Sequence, residues 1–276
     1  MIAKPICRTL LAALLLPLAA CAKRTPPPAP SAVTVTYTGS EYAFTGPDTV
    51  AAGLVTVRLV NTGKEPHQLA LIRIDSGKGM VDIMGAMKGT AIPAWMTFVG
   101  GPNAVAPGDS SNATQALTAG QYLLLCFLPA PDGVMHLAKG MMRMIVVKGT
   151  APAATDPAAD MTLTLSDYDF TPGKPLTAGA HTIRVDNAGP QLHEVMIFRY
   201  LPGKSMKDFQ TWTRRGMQGP PPAKPVGGIV GLTKGQHASF TVTLAAGEYL
   251  LGCFVPDEKD GKPHFAHGMV KEFTVS

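Results

Sequence analysis

Four side chains that bind metals occur twice in this 276-residue chain at nearly the same spacing. His67, Cys126, His136 and Met141 form one set, and His193, Cys253, His264 and Met269 form the other. In each, the first His stands six residues after an Asn, Asn61 or Asn187, beyond a turn containing Gly that aims the next segment inward. The Cys closes an apolar run about sixty residues later, and one loop then carries the second His and, five residues on, the Met. Two imidazoles, a thiolate and a thioether are a borderline-to-soft donor set. A trigonal His2Cys plane with a weak axial Met is an electron-transfer copper arrangement, whereas structural zinc sites use more Cys and rarely Met. Copper is the expected cofactor, one ion per set and up to two in the chain.

Both sets sit in an internal repeat. Tyr42-Ala43-Phe44 recurs as Tyr168-Asp169-Phe170, and Gly53, Arg58, Asn61, Gly63 and His67 recur as Gly179, Arg184, Asn187, Gly189 and His193, all displaced by 126. Val99-Gly100-Gly101, Tyr122-Leu123-Leu124, Cys126 and Pro129 return at 127, and His136, Gly140 and Met141 at 128. A unit of this length has its own core, so the pattern is domain duplication rather than a solenoid. The segments 34–37, 56–60, 162–165, 182–185 and 239–244 are rich in β-branched and apolar residues, and Gly and Pro punctuate them, which predicts strands. The near-continuous apolar runs 122–127 and 249–255 predict strands buried on both faces, and 142–147 and 270–275 predict a closing strand for each copy. Segments 80–88 and 206–215 are expected to form helices outside the sheets. The class is all-β, with two tandem β-sandwich domains at 33–148 and 161–276, joined by an Ala/Pro/Thr-rich linker at 149–160.

Ahead of the repeats, Lys4 and Arg8 precede an apolar stretch that ends in Leu18-Ala19-Ala20-Cys21, so 1–20 reads as a secretory signal peptide. Small residues before that Cys resemble the bacterial lipobox, which implies lipidation of Cys21, and 21–32 then forms a Pro-rich tether. The expected location is the cell envelope, lipid-anchored and periplasm-facing, with Ala22 after the anchor pointing to the outer membrane. Cys7 and Cys21 belong to this leader and anchor. Cys126 and Cys253 are therefore one thiol per exported domain, where pairs are usual. Metal ligation, a bond between the domains and an inert buried thiol are the three explanations.

The run from Asn61 to His67, Gly120-Gln121-Tyr122, Cys126, Pro129, His136 and Gly140-Met141 resembles the cupredoxin family of plastocyanin and azurin. Asn187 to His193, Gly247-Glu248-Tyr249, Cys253, Pro256, Pro263-His264 and Gly268-Met269 look closer still. The resemblance covers most of both repeats. It implies a Greek-key sandwich in each and copper on His67, Cys126, His136 and Met141, with a second ion on His193, Cys253, His264 and Met269. The loop from Cys to the second His is longer than in the simple electron carriers of that family.

Two-domain relatives of that kind include oxidases and nitrite reductases, which need further His beside the Cys or in His-x-His pairs. Leu125 and Gly252 precede the two Cys here, and of seven His four are already assigned. His181 and His237 are expected on strand surfaces, and His267, whose counterpart is Lys139, in solvent. The chain therefore reads as a carrier, not an enzyme. Its partners are a membrane, through the anchor, and an unidentified redox or copper-exchange protein. A copper store or transfer protein and a metal-free interaction module are the other readings. Without the leader's Lys4 and Arg8 the net charge of +5 falls to +3, and no Lys/Arg run is present, which excludes a nucleic-acid partner.

Overall fold

The computed structural model of the chain describes residues 1–2, 32–86, 89, 92–152 and 154–276. Residues 3–20 of the expected signal peptide, Cys21 and the expected tether up to 31 lie outside them, as do 87 and 88 at the end of the first expected helix. The first copy builds β1 (Val33–Ser40), β2 (Ala43–Thr45), β3 (Thr49–Ala51), β4 (Gly53–Asn61), β5 (Ala70–Ile74), β6 (Met96–Phe98), β7 (Ser110–Leu117), β8 (Gly120–Leu125) and β9 (Met142–Lys148), with helix α1 (Met80–Ala86) between β5 and β6. The second builds β10 (Met161–Ser166), β11 (Asp169–Pro172), β12 (Gly179–Asn187), β13 (His193–Tyr200), β14 (Ala223–Leu232), β15 (His237–Leu244), β16 (Gly247–Gly252) and β17 (Val270–Val275), with α2 (Met206–Arg214) after β13.

Each copy is a two-sheet sandwich, and the chain is all-β. In the first, β2-β1-β4-β7 faces β3-β9-β8-β5-β6, and in the second β11-β10-β12-β15 faces β14-β13-β16-β17. The chain leaves the first sheet for β3, which pairs in parallel with β9 across the sandwich, and returns as β4 in parallel with β1. Inward residues alternate as a half-buried strand requires: Met161, Leu163 and Leu165 of β10 are buried and the residues between them are half-buried. Strand β8 is different, because both of its faces are covered. Tyr122 and Leu124 enter the sandwich core, while Leu123 and Leu125 pack with Ile83 of α1 and Val230 of the other copy. This explains its unbroken apolar sequence.

The two sandwiches pack against each other. Strands β7 and β15 pair antiparallel through Thr114 and Ser239, so the two sheets become one of eight strands. Asn112 Nδ2 donates to Thr241 O at 3.1 Å and Thr241 N donates to Asn112 Oδ1 at 3.0 Å. Segment 98–105 runs along β14, with N–H···O bonds from Gly100 to Gly231, Val230 to Gly101 and Asn103 to Gly228. Across this seam Val230 joins the outer core of the first copy and Ala104 that of the second, where α2 supplies Phe209. In the linker, Asp156 pairs with Arg184 at 2.5 Å and with His237 at 2.9 Å.

Candidate metal centres

The loop bearing the first His is tied down by Asn61. Its Oδ1 accepts from Gly63 N at 2.9 Å, and its Nδ2 donates to Glu65 O at 2.8 Å and Val105 O at 3.0 Å. Asn187 repeats this with Gly189 N, Gln191 O and Leu232 O. No side chain larger than hydrogen fits at the turn, because a Cβ on Gly63 would lie 2.7 Å from His67 Nε2 and one on Gly189 2.6 Å from His193 Nε2.

The other three candidates are locked to one another through the backbone. His136 opens a 3-10 turn that ends at Gly140 in the left-handed region, φ 106°, and the chain then delivers Met141. Met141 N donates to His136 O at 2.9 Å, Cys126 N to Met141 O at 3.3 Å and Leu137 N to Cys126 O at 3.0 Å. His264, Gly268, Met269 and Cys253 form the same closed circuit. One loop therefore presents Cys, His and Met together.

All eight sequence-predicted residues are buried with no exposed surface. The donor atoms of His67, Cys126 and His136 lie within 4.8 Å of one another, as do those of His193, Cys253 and His264. His67 Nδ1 is 3.2 Å from His136 Nδ1, which is 3.4 Å from Cys126 Sγ; in the second copy the values are 3.0 and 3.5 Å. Met141 and Met269 share the cores that hold Cys126 and Cys253. Both thiols are free, so the bond between domains is not formed. His267 stands apart from the second set, 3.1 Å from Asp260 and tilted over Tyr168 with ring centroids 5.0 Å apart.

Carboxylates orient the rings. His67 Nε2 donates to Glu41 Oε1 at 3.2 Å, His136 Nε2 to Glu65 Oε2 at 2.9 Å and His193 Nε2 to Asp167 Oδ1 at 2.5 Å. With the protons on Nε2, the Nδ1 lone pairs of His67 and His136 point at each other. That arrangement repels unless a cation lies between them, and two nitrogens each about 2 Å from one ion sit about 3 Å apart. The residues thus fit a metal held through Nδ1 with a carboxylate behind each imidazole. The exception is His264, whose Nε2 is 3.8 Å from Asp257, too far for a hydrogen bond, and has no partner among the described residues.

Burial lowers the pKa of His67, His136 and His193, and burial together with the nearby His193 takes His264 down to about 4. The imidazoles are therefore neutral at pH 7, the form in which they can bind a metal. Burial pushes the Cys126 thiol up to about 12 and the Cys253 thiol higher still, so a metal ion must displace a proton to gain the thiolate. Backbone N–H groups of Gln68 and Leu128 face Cys126 Sγ, and those of Glu194 and Val255 face Cys253 Sγ, ready to stabilise that charge.

Sequence reasoning passed over the acids. Glu41 and Asp167 are separated by the repeat interval of 126 and adjoin Tyr42 and Tyr168, so the signal was in plain register. Tyr42 packs on His136 with centroids 4.9 Å apart and bonds Glu65, while Tyr168 packs on His264 at 5.2 Å and bonds Asp257 at 2.5 Å. The second acids have no such register. Gln191 stands where Glu65 does in the first copy, and its Nε2 donates to Asp167 at 3.1 Å and Asp257 at 3.0 Å.

No family model matches the chain, and no curated protein does. Among solved structures it is similar to an auracyanin from Roseiflexus castenholzii, at 21% identity over 44% of this chain and 100% of that one, with a TM-score of 0.33. It is also similar to auracyanin A, a "blue" copper protein from Chloroflexus aurantiacus, at 23% identity over 43% and 100%, TM-score 0.32. A blue copper oxidase from Nitrosomonas europaea matches over both copies, at 15% identity over 89% and 86%, TM-score 0.26. The chain consists of two β-sandwiches, each enclosing a His-Cys-His donor group suited to copper.

Proposed function

We propose that this chain is an exported electron carrier, anchored by a lipid on Cys21, with one copper ion on His67, Cys126, His136 and Met141 and a second on His193, Cys253, His264 and Met269. The observation that carries the reading is the convergence, in both copies, of two Nδ1 atoms and one Sγ inside a core that exposes none of them. Copper held there supplies a one-electron couple between Cu(II) and Cu(I). The chain's own contribution is to fix the ligands: Asn61 and Asn187 hold the first His, the closed backbone circuit holds the other three, and the carboxylates hold the ring planes. A frame so constrained changes little when the charge of the ion changes. Full burial of the donors favours electron transfer over copper delivery, which needs donors that a partner can reach.

The proposed carrier role, unlike that of an oxidase, asks for no further copper cluster. Among the described residues, the remaining group of close donors is Asp257, Asp260 and His267, two acids and one imidazole rather than a His cluster. Lipid attachment would confine the carrier near membrane redox partners and raise their effective concentration.

Titrating the full chain with Cu(II) tests this. An intense thiolate-to-copper visible band should grow to two equivalents, lose one component in Cys126→Ser and the other in Cys253→Ser, and cycle reversibly with a mild reductant. Absence of the band sinks the copper reading, and catalytic oxygen or nitrite consumption by the loaded protein sinks the carrier role. Labelled fatty acid should enter the expressed chain but not its Cys21→Ser variant.

A further inference from the structure

A buried polar cluster lies in the seam between the sandwiches, and it reaches both candidate centres. Asn103 is fully buried in the first copy's segment along β14. Its Nδ2 lies 3.2 Å from Glu194 Oε2, 3.0 Å from Val195 O and 3.2 Å from Ile229 O, all in the second copy. Glu194 is buried beside the ligand His193, and its other oxygen accepts from Phe254 N at 3.0 Å. Its own backbone N–H points at Cys253 Sγ at 3.5 Å. From Asn103 the chain runs through Ala104 to Val105, which forms a two-way backbone bridge with His67: Val105 N to His67 O at 3.0 Å and His67 N to Val105 O at 3.2 Å.

The repeat shows that this link is specific to one side. The counterpart of Glu194 is Gln68, and that of Asn103 is Val230. Gln68 is buried with Oε1 unpartnered among the described residues, and Val230 sits in an apolar cluster. Duplication alone would have left both crossings alike. A carboxylate taken out of water at a domain seam is costly unless it is paired, so its retention on one side calls for a role there.

We propose that Asn103 and Glu194 form an internal electron relay between the two centres. The proposal rests on the copper reading above and deepens it: the two ions exchange electrons within one molecule, along Cys253, Glu194, Asn103, Val105 and His67. One electron leaves Cu(I) at one centre and reduces Cu(II) at the other, with no proton or further reactant required. Every non-covalent step on the route is a hydrogen bond of 3.5 Å or less, and tunnelling falls off far less through bonds and hydrogen bonds than across gaps. Asn103 and Glu194 act here as positioning residues that hold a continuous contact across the seam.

The spectra of Cys126→Ser and Cys253→Ser identify the band of each centre. In the doubly loaded chain, a flash that reduces a small fraction of the copper should be followed by redistribution between the two bands at a rate independent of protein concentration. Asn103→Val combined with Glu194→Gln places the other side's pair at this crossing. It should slow that redistribution with both bands retained. Redistribution that scales with protein concentration, or that is unchanged in the double variant, overturns the relay. A chain with no thiolate-to-copper band overturns the copper reading itself, which separates the two failures. A second readout needs neither turnover nor a seam variant. Filling only the second centre of Cys126→Ser with diamagnetic Ag(I) should shift the Asn103 side-chain amide protons in a 1H–15N spectrum. Unmoved signals overturn the contact on which the relay depends.

Discussion

The carboxylates behind the imidazoles are the residues with most control over either centre. Each fixes a tautomer by accepting a hydrogen bond from Nε2–H and raises the basicity of Nδ1, and outer partners of this kind typically account for 10–100-fold in metal affinity. Asp167→Ala should therefore weaken copper at the second centre by about that factor and leave the first unchanged, as read by chelator competition on single-centre chains. Equal weakening at both centres would show that Asp167 acts through the fold instead. The eight candidate ligands were legible because their types are unusual and they recur in step. The acids were harder to read because Glu and Asp are common on surfaces, and only a three-dimensional contact separates Asp257, bonded to Tyr168 and Gln191, from an acid of no consequence.

At the scale of elements, the ligand loops depend on conformations that only glycine adopts easily. Gly140 and Gly268 close the 3-10 turns at φ 106° and 100°, immediately before the Met. Gly140→Ala should destabilise the chain by about 1–2 kcal/mol in urea unfolding and shift the band of the first centre, because Met141 and its bonds to His136 and Cys126 follow directly from that turn. An unchanged spectrum would mean that Met141 does not set the centre's electronic character. The strands read from alternation, 162–165 and 182–185 among them, fall within β10 and β12, and both helices appear where the patterns at 80–88 and 206–215 point. Strand β14 could not be read in the same way. Ala223–Leu232 contains Pro225 and three glycines, residues that argue against a strand, and it forms one as the last strand of its sheet, with a register that shifts twice against β13 and an outer side bonded only irregularly by segment 98–105.

For the molecule as a whole, the seam makes the two copies one body. An eight-stranded sheet, a run of backbone hydrogen bonds from 98 to 105 and a buried amide bind them, and none of these was visible in the sequence, where 149–160 reads as a spacer between independent units. Contacts between domains leave no periodic trace, and Asn103 lies in a stretch of mixed Gly, Pro and Val. Calorimetry of the metal-free chain should show a single unfolding transition, retained after proteolytic cleavage between 149 and 160. Two resolved transitions, or separation of the halves on a sizing column after cleavage, would show that the seam does not couple them.

Strands β7 and β15 are the same strand of the two copies, and they meet each other antiparallel, while Ala104 and Val230 each close the opposite copy's outer core. A two-fold axis through a contact between identical partners produces this arrangement. The seam thus has the form of a homodimer interface written into a single polypeptide. In a true homodimer, any change at one side of the axis is imposed on the other. Fusion lifts that constraint, which is how Asn103 can face Glu194 at one crossing while Val230 and Gln68 occupy the other, and how an ancestry of equal halves can end in two centres that are no longer interchangeable.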